Sequence, residues 1–411
     1  MPISEGLRRD LRAMTRGVFI EDPAERAARS RDLWPQALWW DQGELTRRAP
    51  SAVARPRDED EVSALLSWAS RQGVAVVTRG NGSGVCGAAV PDRPDCVVLE
   101  TLDLADFSVR AEGAGSVAVV GGGLLGGELE RRLNALGLSL MHFPASLDIS
   151  TVGGWIASGS SGQMSTLYGD IGSQVLSART ILGDGQRVEE GVDAAYLSEG
   201  ALGVVTQAGL RVRSLPKNRE FFAARFPALG PALAAARALQ TGGRPPAVAR
   251  LYDALEANAM GLTKEDGAGF LPEAWSLSLR AWALGHPGLV ERALGGTHWW
   301  LVVVLEDAEP GESARVRETL LKEGGLLDER PARRWWNRRY HWDHKKLTGL
   351  MARACFVDTI DLSASWERLG ILYEAVLKAR PEGVLAMGHF AHFEKGGGCL
   401  YVSAAGRRSG P

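Results

Sequence analysis

Residues Pro144 to Gly172 read PASLDISTVGGWIASGSSGQMSTLYGDIG: six glycines, six serines, two threonines and only two charged side chains, Asp148 and Asp170. Glycine lets backbone run close to a bound molecule because no Cβ intervenes. Serine and threonine hydroxyls supply neutral hydrogen bonds with little bulk. A second small-residue run lies upstream, Arg79-Gly80-Asn81-Gly82-Ser83-Gly84, directly after the apolar VAVVT. Successive backbone N–H groups in such a loop make a nest for an anion. The two runs together point to a dinucleotide.

Two stretches fit GxGxxG: Gly82-Ser-Gly84-Val-Cys-Gly87 and Gly121-Gly-Gly123-Leu-Leu-Gly126. Only the second follows a strand pattern and opens a helix, as a Rossmann unit requires. The acidic residue wanted about twenty positions later would be Asp148, which sits inside the glycine-serine segment and not at a strand end. A Rossmann fold is therefore disfavoured.

Four of the seven histidines form two i, i+3 pairs, His341/His344 and His389/His392. On a helix each pair would share a face; on a strand the two rings would diverge. No cysteine or carboxylate cluster completes a closed metal site, so no metal is expected. Residues 333–346, RRWWNRRYHWDHKK, are basic and aromatic. They suit either a face for anionic lipid or a solvated helix with its aromatics packed inward. The four cysteines (Cys86, Cys96, Cys355, Cys399) form no CxxC pair, as expected of reduced thiols in a cytoplasmic protein.

The elements that would position these groups follow from pattern. Residues 1–50 read as a polar helix and an extended connector, with Trp34, Trp39 and Trp40 lying against the body. Asp58 and Glu61 form a capping box. Val62, Leu65, Leu66 and Ala69 make the apolar face of the helix that follows, and Gly73 ends it. Strands are predicted at 74–78, CVVLETL and SVAVVGGG, a helix at ELERRLNALG, and a hairpin turning at Asp184-Gly185. A long strand then runs to Pro216. Residues 51–216 thus form one α+β unit. After Pro216 the composition shifts towards tryptophan. RFPALGPALAAARAL and SARVRETLLKEGG read as helices, PAVARLYD as a strand running to a helix, and SLSLRAWAL, THWWLVVVLE and CLYVSAA as strands. A second α+β domain over 217–411 is expected.

The order of motifs (a strand, RGNGSG, PxSxxxSTVGGWIAxGxxG, then SEGxLGVVT) resembles the FAD-binding domain of the vanillyl-alcohol oxidase, or PCMH, type. The resemblance implies an α+β fold in which two subdomains of the first domain hold FAD, followed by a substrate-binding cap domain. It implies cofactor contacts from Arg79, Gly80, Asn81, Gly82, Ser83 and Gly84 in the first loop. In the second segment it implies Pro144, Ser146, Ser150, Thr151, Gly153, Gly154, Ser158, Gly159, Gly162, Tyr168 and Gly169, and further on Glu199, Gly203 and Val204. Some members attach flavin to a histidine in the first loop. Ser83 stands there, so non-covalent FAD is expected.

Within that family, HFPASLDISTVGGWIASGSSGQMSTLYGDI, ARLYD, DTIDLSASWERL and GGGCLYVSAAG are similar to the alkyldihydroxyacetone-phosphate synthase branch. That branch exchanges the acyl group of acyl-dihydroxyacetone phosphate for a fatty alcohol in ether lipid synthesis, with flavin as nucleophile and electron reservoir. The resemblance implies that Arg250 binds the substrate phosphate and that Tyr401 transfers a proton at the carbon next to the carbonyl. His389 or His392 would line the substrate site. The longer histidine pattern of the D-2-hydroxy-acid dehydrogenases is absent at 388–394. The family's histidine-rich stretch after the final strand has no counterpart before residue 411. A flavin oxidoreductase of a hydroxy acid or alcohol, and a non-catalytic flavin-binding remnant, therefore remain as alternatives.

Bulk properties agree. The 411 residues carry a net charge of −2, 23% charged and 45% hydrophobic residues, enough for two or three domains and with no basic excess for nucleic acid. A lipid-like or small-molecule substrate is expected. No spanning helix, secretory signal or C-terminal peroxisomal address is read, which gives a cytoplasmic expectation. Peripheral membrane contact and homodimer formation are left open.

Overall fold

A computed structural model describes residues 3–113, 115–189, 195–263, 277–340 and 344–408. The chain divides into two units, Met1–Gly162 with Asp170–Leu215, and Gln163–Gly169 with Pro216–Pro411. The glycine-serine segment passes from one to the other: its residues 163–169 pack with the second unit.

In the first unit, the side chain of Asp58 caps the helix Glu59–Gln72 by accepting from Glu61 N at 3.0 Å, and Gly73 ends it at φ +65°. The Glu61 carboxylate accepts from Arg57 N at 2.7 Å and Gly17 N at 2.9 Å, so it ties the N-terminal segment to this helix. Val62, Leu65, Leu66 and Ala69 join Ala52, Ala54, Val97 and Leu99 in one apolar core. That core lies on a sheet of order Val18–Ile20, Ala52–Arg55, Cys96–Glu100, Ala75–Arg79, whose last two pairings are parallel. A second, antiparallel sheet runs Phe107–Glu112, Gly115–Gly121, Gly203–Ser214, Val175–Leu182, Arg187–Val188. Its Val175–Val188 hairpin turns where Gly185 adopts φ +89°.

Residues 20–50 differ from the extended connector read in the sequence: short helices form at Pro23–Ala28, Pro35–Leu38 and Gln42–Arg47. Asp22 and Asp41 cap the first and third with side-chain oxygens, local chemistry that stabilises even a two-turn helix. Trp39 is 37% exposed.

Glycines 121 to 126 serve packing. A Cβ would stand 2.1 Å from Leu104 O at Gly121, 2.0 Å from Val205 O at Gly122 and 1.7 Å from Thr101 O at Gly123. This second GxGxxG is spent on backbone contacts inside the first unit.

The second unit is built on a seven-stranded sheet, ordered Leu326–Leu327, Arg219–Phe226, Trp299–Glu306, Val248–Tyr252, Val384–Ala391, Gly397–Arg407, Cys355–Ser365, with antiparallel pairing throughout. Because side chains alternate along a strand, Ala249, Leu251, Leu301, Val303, Phe390, Leu400 and Val402 all enter one core. The helices Leu229–Thr241, Glu312–Lys322 and Trp366–Ala379 cover it. Residues 277–284, read as part of a strand, form a helix that buries Arg280, Ala281, Ala283 and Leu284. The alternation there spans too few positions to outweigh leucine, alanine and arginine, good helix formers with no β-branched neighbour.

Candidate FAD cradle and substrate-side cluster

The first loop leaves the strand Ala75–Arg79 at its C-terminal end. Gly82 takes φ +68°, and a Cβ there would lie 2.0 Å from Arg79 Nη2. A Cβ on Gly80 would lie 2.3 Å from Thr151 Oγ1, and Asn81 Nδ2 donates to Ile149 O at 3.1 Å. The two small-residue runs, far apart in sequence, therefore touch. Among the described residues, no protein acceptor meets the backbone N–H groups of Gly80, Asn81, Gly82, Ser83 or Gly84. Five successive donors without a partner fit an anion such as a pyrophosphate.

Arg79 itself turns inward. It is 8% exposed, its Nη1 donates to Arg31 O at 2.9 Å, and its Nε lies 3.7 Å from Glu100. Burial pulls its pKa down while Glu100 and Asp32 oppose the shift. Its guanidinium thus bonds to Arg31 O and pairs with Glu100 while lying close against Gly82. Asp32, also buried, accepts from Trp34 N at 2.9 Å. Burial raises the pKa of Asp32 and of Glu199, which is additionally raised by Asp32. Glu199 holds φ +51°, unusual for a residue with a side chain, and donates its N–H to Ala157 O at 2.8 Å.

The second segment is organised from within. Trp155 Nε1 donates to Ser150 Oγ at 2.6 Å, and Ser150 Oγ to Ser146 O at 2.8 Å. Thr151 caps the helix Val152–Ser158 by accepting from Gly154 N at 3.2 Å, and Ser158 Oγ returns to Gly154 O at 2.9 Å. Pro144 is buried, with its carbonyl accepting from Leu147 N at 3.1 Å. A Cβ on Gly153 would lie 2.9 Å from Gly122 O. At Gly159 (φ +61°) it would lie 2.2 Å from the Leu197 side chain, at Gly162 2.6 Å from Phe143 N and at Gly203 2.6 Å from Ile181 O. Val204 is core. Tyr168 and Gly169 belong to the second unit, where the Tyr168 hydroxyl donates to Glu306 Oε2 at 2.8 Å and Gly169 takes φ +77°.

In the second unit, Arg250, His389 and Tyr401 share the sheet face opposite the helix-covered core. Cross-strand register sets Tyr252 opposite His389, His389 opposite Tyr401, and Tyr401 opposite Asp361. The His389 ring lies 5.1 Å from that of Tyr401 and 5.2 Å from that of Tyr252. His389 Nδ1 is 2.8 Å from Glu256 Oε1. The Arg250 Nη1 sits 3.4 Å from Tyr252 Oη, too long for a strong bond, and its buried Nε has no partner among the described residues. Trp335 Nε1 donates to Tyr252 Oη at 2.7 Å. Burial raises the pKa of Asp361, opposed by His389 and Arg250, and also that of Tyr401, opposed by a hydrogen bond with Thr359. The arrangement sets a cation whose buried Nε is unpartnered among the described residues beside two groups able to move protons.

His392 lies past the end of its strand at φ +49°, with Nδ1 engaged by Ser165 Oγ, so it is held apart from the His389 row. In the basic cluster, Trp335 is buried and Trp336 packs between Arg219 and Arg339, while Arg333 is exposed. His341 lies outside the described residues, as does the His344 side chain. Among the described residues no group of three or more His, Cys, Asp or Glu side chains is gathered for a metal, and no helix is long and apolar enough to cross a membrane. Glu256, Tyr252 and Asp361 were not singled out from the sequence.

Two family models match in tandem: the FAD binding domain over residues 50–191 and the FAD linked oxidases C-terminal domain over residues 215–410. The chain belongs to the FAD-linked oxidases of the PCMH, or vanillyl-alcohol oxidase, type, and its cofactor is FAD. Within that family it is similar to the alkyldihydroxyacetonephosphate synthase of Trypanosoma brucei brucei, 26% identical over 396 residues, covering 90% of this chain and 63% of the relative. The Dictyostelium discoideum synthase is 31% identical over 221 residues, covering 50% of this chain and 36% of the relative. A D-lactate dehydrogenase of Archaeoglobus fulgidus is 31% identical over 193 residues, covering 44% of this chain and 43% of the relative. The chain thus spans less than two thirds of the length of these relatives. A solved alkyldihydroxyacetonephosphate synthase shares the fold at TM-score 0.81 and 23% identity, over 99% of this chain and 79% of that one.

Proposed function

We propose that this protein is an FAD-dependent enzyme of the alkyldihydroxyacetone-phosphate synthase kind, exchanging the acyl group of acyl-dihydroxyacetone phosphate for a fatty alcohol. The observation that carries this reading is the placement of Arg250, His389 and Tyr401 on one sheet face, with the Arg250 Nε buried and unpartnered among the described residues. Arg250 holds the substrate's phosphate through charge-assisted bonds. Tyr401 moves a proton at the carbon beside the carbonyl. The N–H groups of Gly80–Gly84 bind the cofactor's pyrophosphate non-covalently. When bound, FAD supplies a nucleophile and an electron reservoir.

A second reading, oxidation of a 2-hydroxy acid or alcohol, is favoured by the His389–Glu256 contact, which suits a base acting on a hydroxyl. One assay separates the two. Purified holoprotein is given acyl-dihydroxyacetone phosphate and labelled hexadecanol without an electron acceptor, and separately D-lactate or glycolate with one. Label in the ether product supports the first reading. Flavin bleaching by the hydroxy acid, with acceptor consumed, replaces it by the second. Bound flavin with neither reaction leaves a binding protein.

A further inference from the structure

Asp253 and Glu256 stand at the start of the short helix Ala254–Ala259 as D-x-x-E, the pattern of a capping box. In such a box the first side chain accepts from the fourth residue's N–H, and the fourth side chain returns to the first residue's N–H. Half of this is present: Asp253 Oδ1 accepts from Glu256 N at 2.7 Å. The other half is replaced. Asp253 N donates instead to Gly388 O at 3.0 Å, and Gly388 N donates to Asp253 Oδ2 at 2.6 Å. Glu256 is released from capping, and its Oε1 meets His389 Nδ1 at 2.8 Å.

We propose that Glu256 is the positioning residue for His389, fixing its ring and tautomer so that Nε2 is the nitrogen that exchanges protons with substrate. This rests on the catalytic reading of the row formed by Arg250, His389 and Tyr401. Glu256 is 7% exposed and His389 is 7% exposed, so the contact is sheltered from water and strong for its kind. A carboxylate at Nδ1 accepts the Nδ1–H proton and leaves Nε2 bare in the neutral ring. Nε2 has no protein partner among the described residues. The flanking rings of Tyr252 and Tyr401 confine the imidazole plane. In the step this permits, Nε2 takes a proton from a substrate O–H or C–H, the electron pair stays on substrate, and ionised Glu256 balances the imidazolium formed. Arg250 and Asp361 are the other charged groups of the row, and Asp361 interacts electrostatically with both His389 and Arg250.

The test needs no knowledge of the substrate in its first arm. In ¹⁵N-histidine holoprotein, with His389→Gln identifying the signal, neutral His389 is expected as the Nδ1–H form. Glu256→Ala is expected to shift it towards the Nε2–H form, and Glu256→Gln, which keeps an acceptor in place, to restore part of the original population. On whichever substrate class turns over, Glu256→Ala is expected to lower kcat at least tenfold (about one order of magnitude) with KM within about twofold and flavin retained. A wild-type Nε2–H tautomer overturns the proposal, even where a variant fails to fold. So does an unchanged kcat in Glu256→Ala. If neither substrate class reacts, the functional reading fails while the tautomer arm still decides the role of Glu256.

Discussion

Gly126 and Trp155 compete for the same volume: a Cβ on Gly126 would lie 2.1 Å from Cζ2 of a tryptophan that is 2% exposed. The indole cannot retreat easily, because its Nε1 is bonded to Ser150 Oγ at 2.6 Å and its helix follows directly on Thr151. Gly126→Ala is therefore expected to cost about 1–3 kcal/mol as an overpacked core, read as a lower urea midpoint. Gly230→Ala, in the open and inside a helix, is the control. Because Gly230 lies in the first turn and nothing packs on it, the change is expected to stay within about 0.5 kcal/mol of the parent. Equal midpoints for the two variants would contradict the packing account.

The same method separates folding from cofactor binding at Gly82. Its φ of +68° and the 2.0 Å approach to Arg79 Nη2 leave no room for a side chain. The loop lies at the surface, so the core should survive. Gly82→Ala is expected to keep a cooperative unfolding transition but to lose FAD on gel filtration, with strain of about 1–2 kcal/mol appearing as at least a several-fold weaker Kd. Full flavin occupancy in the variant, at a Kd equal to that of the parent, would remove the loop from the cradle.

His142 makes a pH prediction. It is 1% exposed, packs edge-on to Trp155 at 4.9 Å, and neither ring nitrogen has a partner among the described residues. Burial pushes its pKa down to about 3, with Asp170 opposing weakly. Below the unfolded value near 6.5 the unfolded chain binds a proton that the folded chain refuses. Stability is therefore lost as pH falls from about 6.5 towards 3. At pH 5 this amounts to about 2 kcal/mol relative to pH 7. His142→Phe keeps the aromatic contact and removes the titration, so its urea midpoint should fall less over that range. Parallel pH profiles for the two proteins would sink the account.

What the sequence disclosed and what it withheld follow from the range of the interactions. The glycine-serine segment and RGNGSG were legible because close backbone approach needs small residues whatever the partner. Asp58, Gly73 and the Asp184-Gly185 turn were legible because caps and turns are local. Glu256 was hidden twice: its spacing from Asp253 imitates a capping box, and its partner lies 133 residues away. Asp361 and Tyr252 join the row only through strand register, which no single segment encodes. The Gly121–Gly126 run imitated a nucleotide motif because packing against Thr101, Leu104 and Val205 demands the same residue.

Arg250 gives the most direct test of the substrate side. Among the described residues its Nε is buried without a partner and its Nη1 reaches Tyr252 Oη at 3.4 Å, while the guanidinium lies 5.7 Å from the Trp335 ring. A buried donor left unmade costs stability, and the reading proposed above gives this one a substrate anion as its partner. Arg250→Ala removes charge and fork together; Arg250→Lys keeps the charge and loses the bidentate geometry. A charged hydrogen bond is worth about 1.5–3 kcal/mol, so Arg250→Ala should raise KM for a phosphate-bearing substrate about ten- to hundredfold, with Arg250→Lys between it and the parent. Flavin content should be the same in all three, because the donors assigned to the cofactor's pyrophosphate are the N–H groups of residues 80–84. The alanine protein should also be no less stable than the parent in the absence of substrate, since the lost group satisfied little. An unchanged KM in Arg250→Ala assigns the anion to another cation, and a loss of flavin would place Arg250 in the cofactor's environment instead.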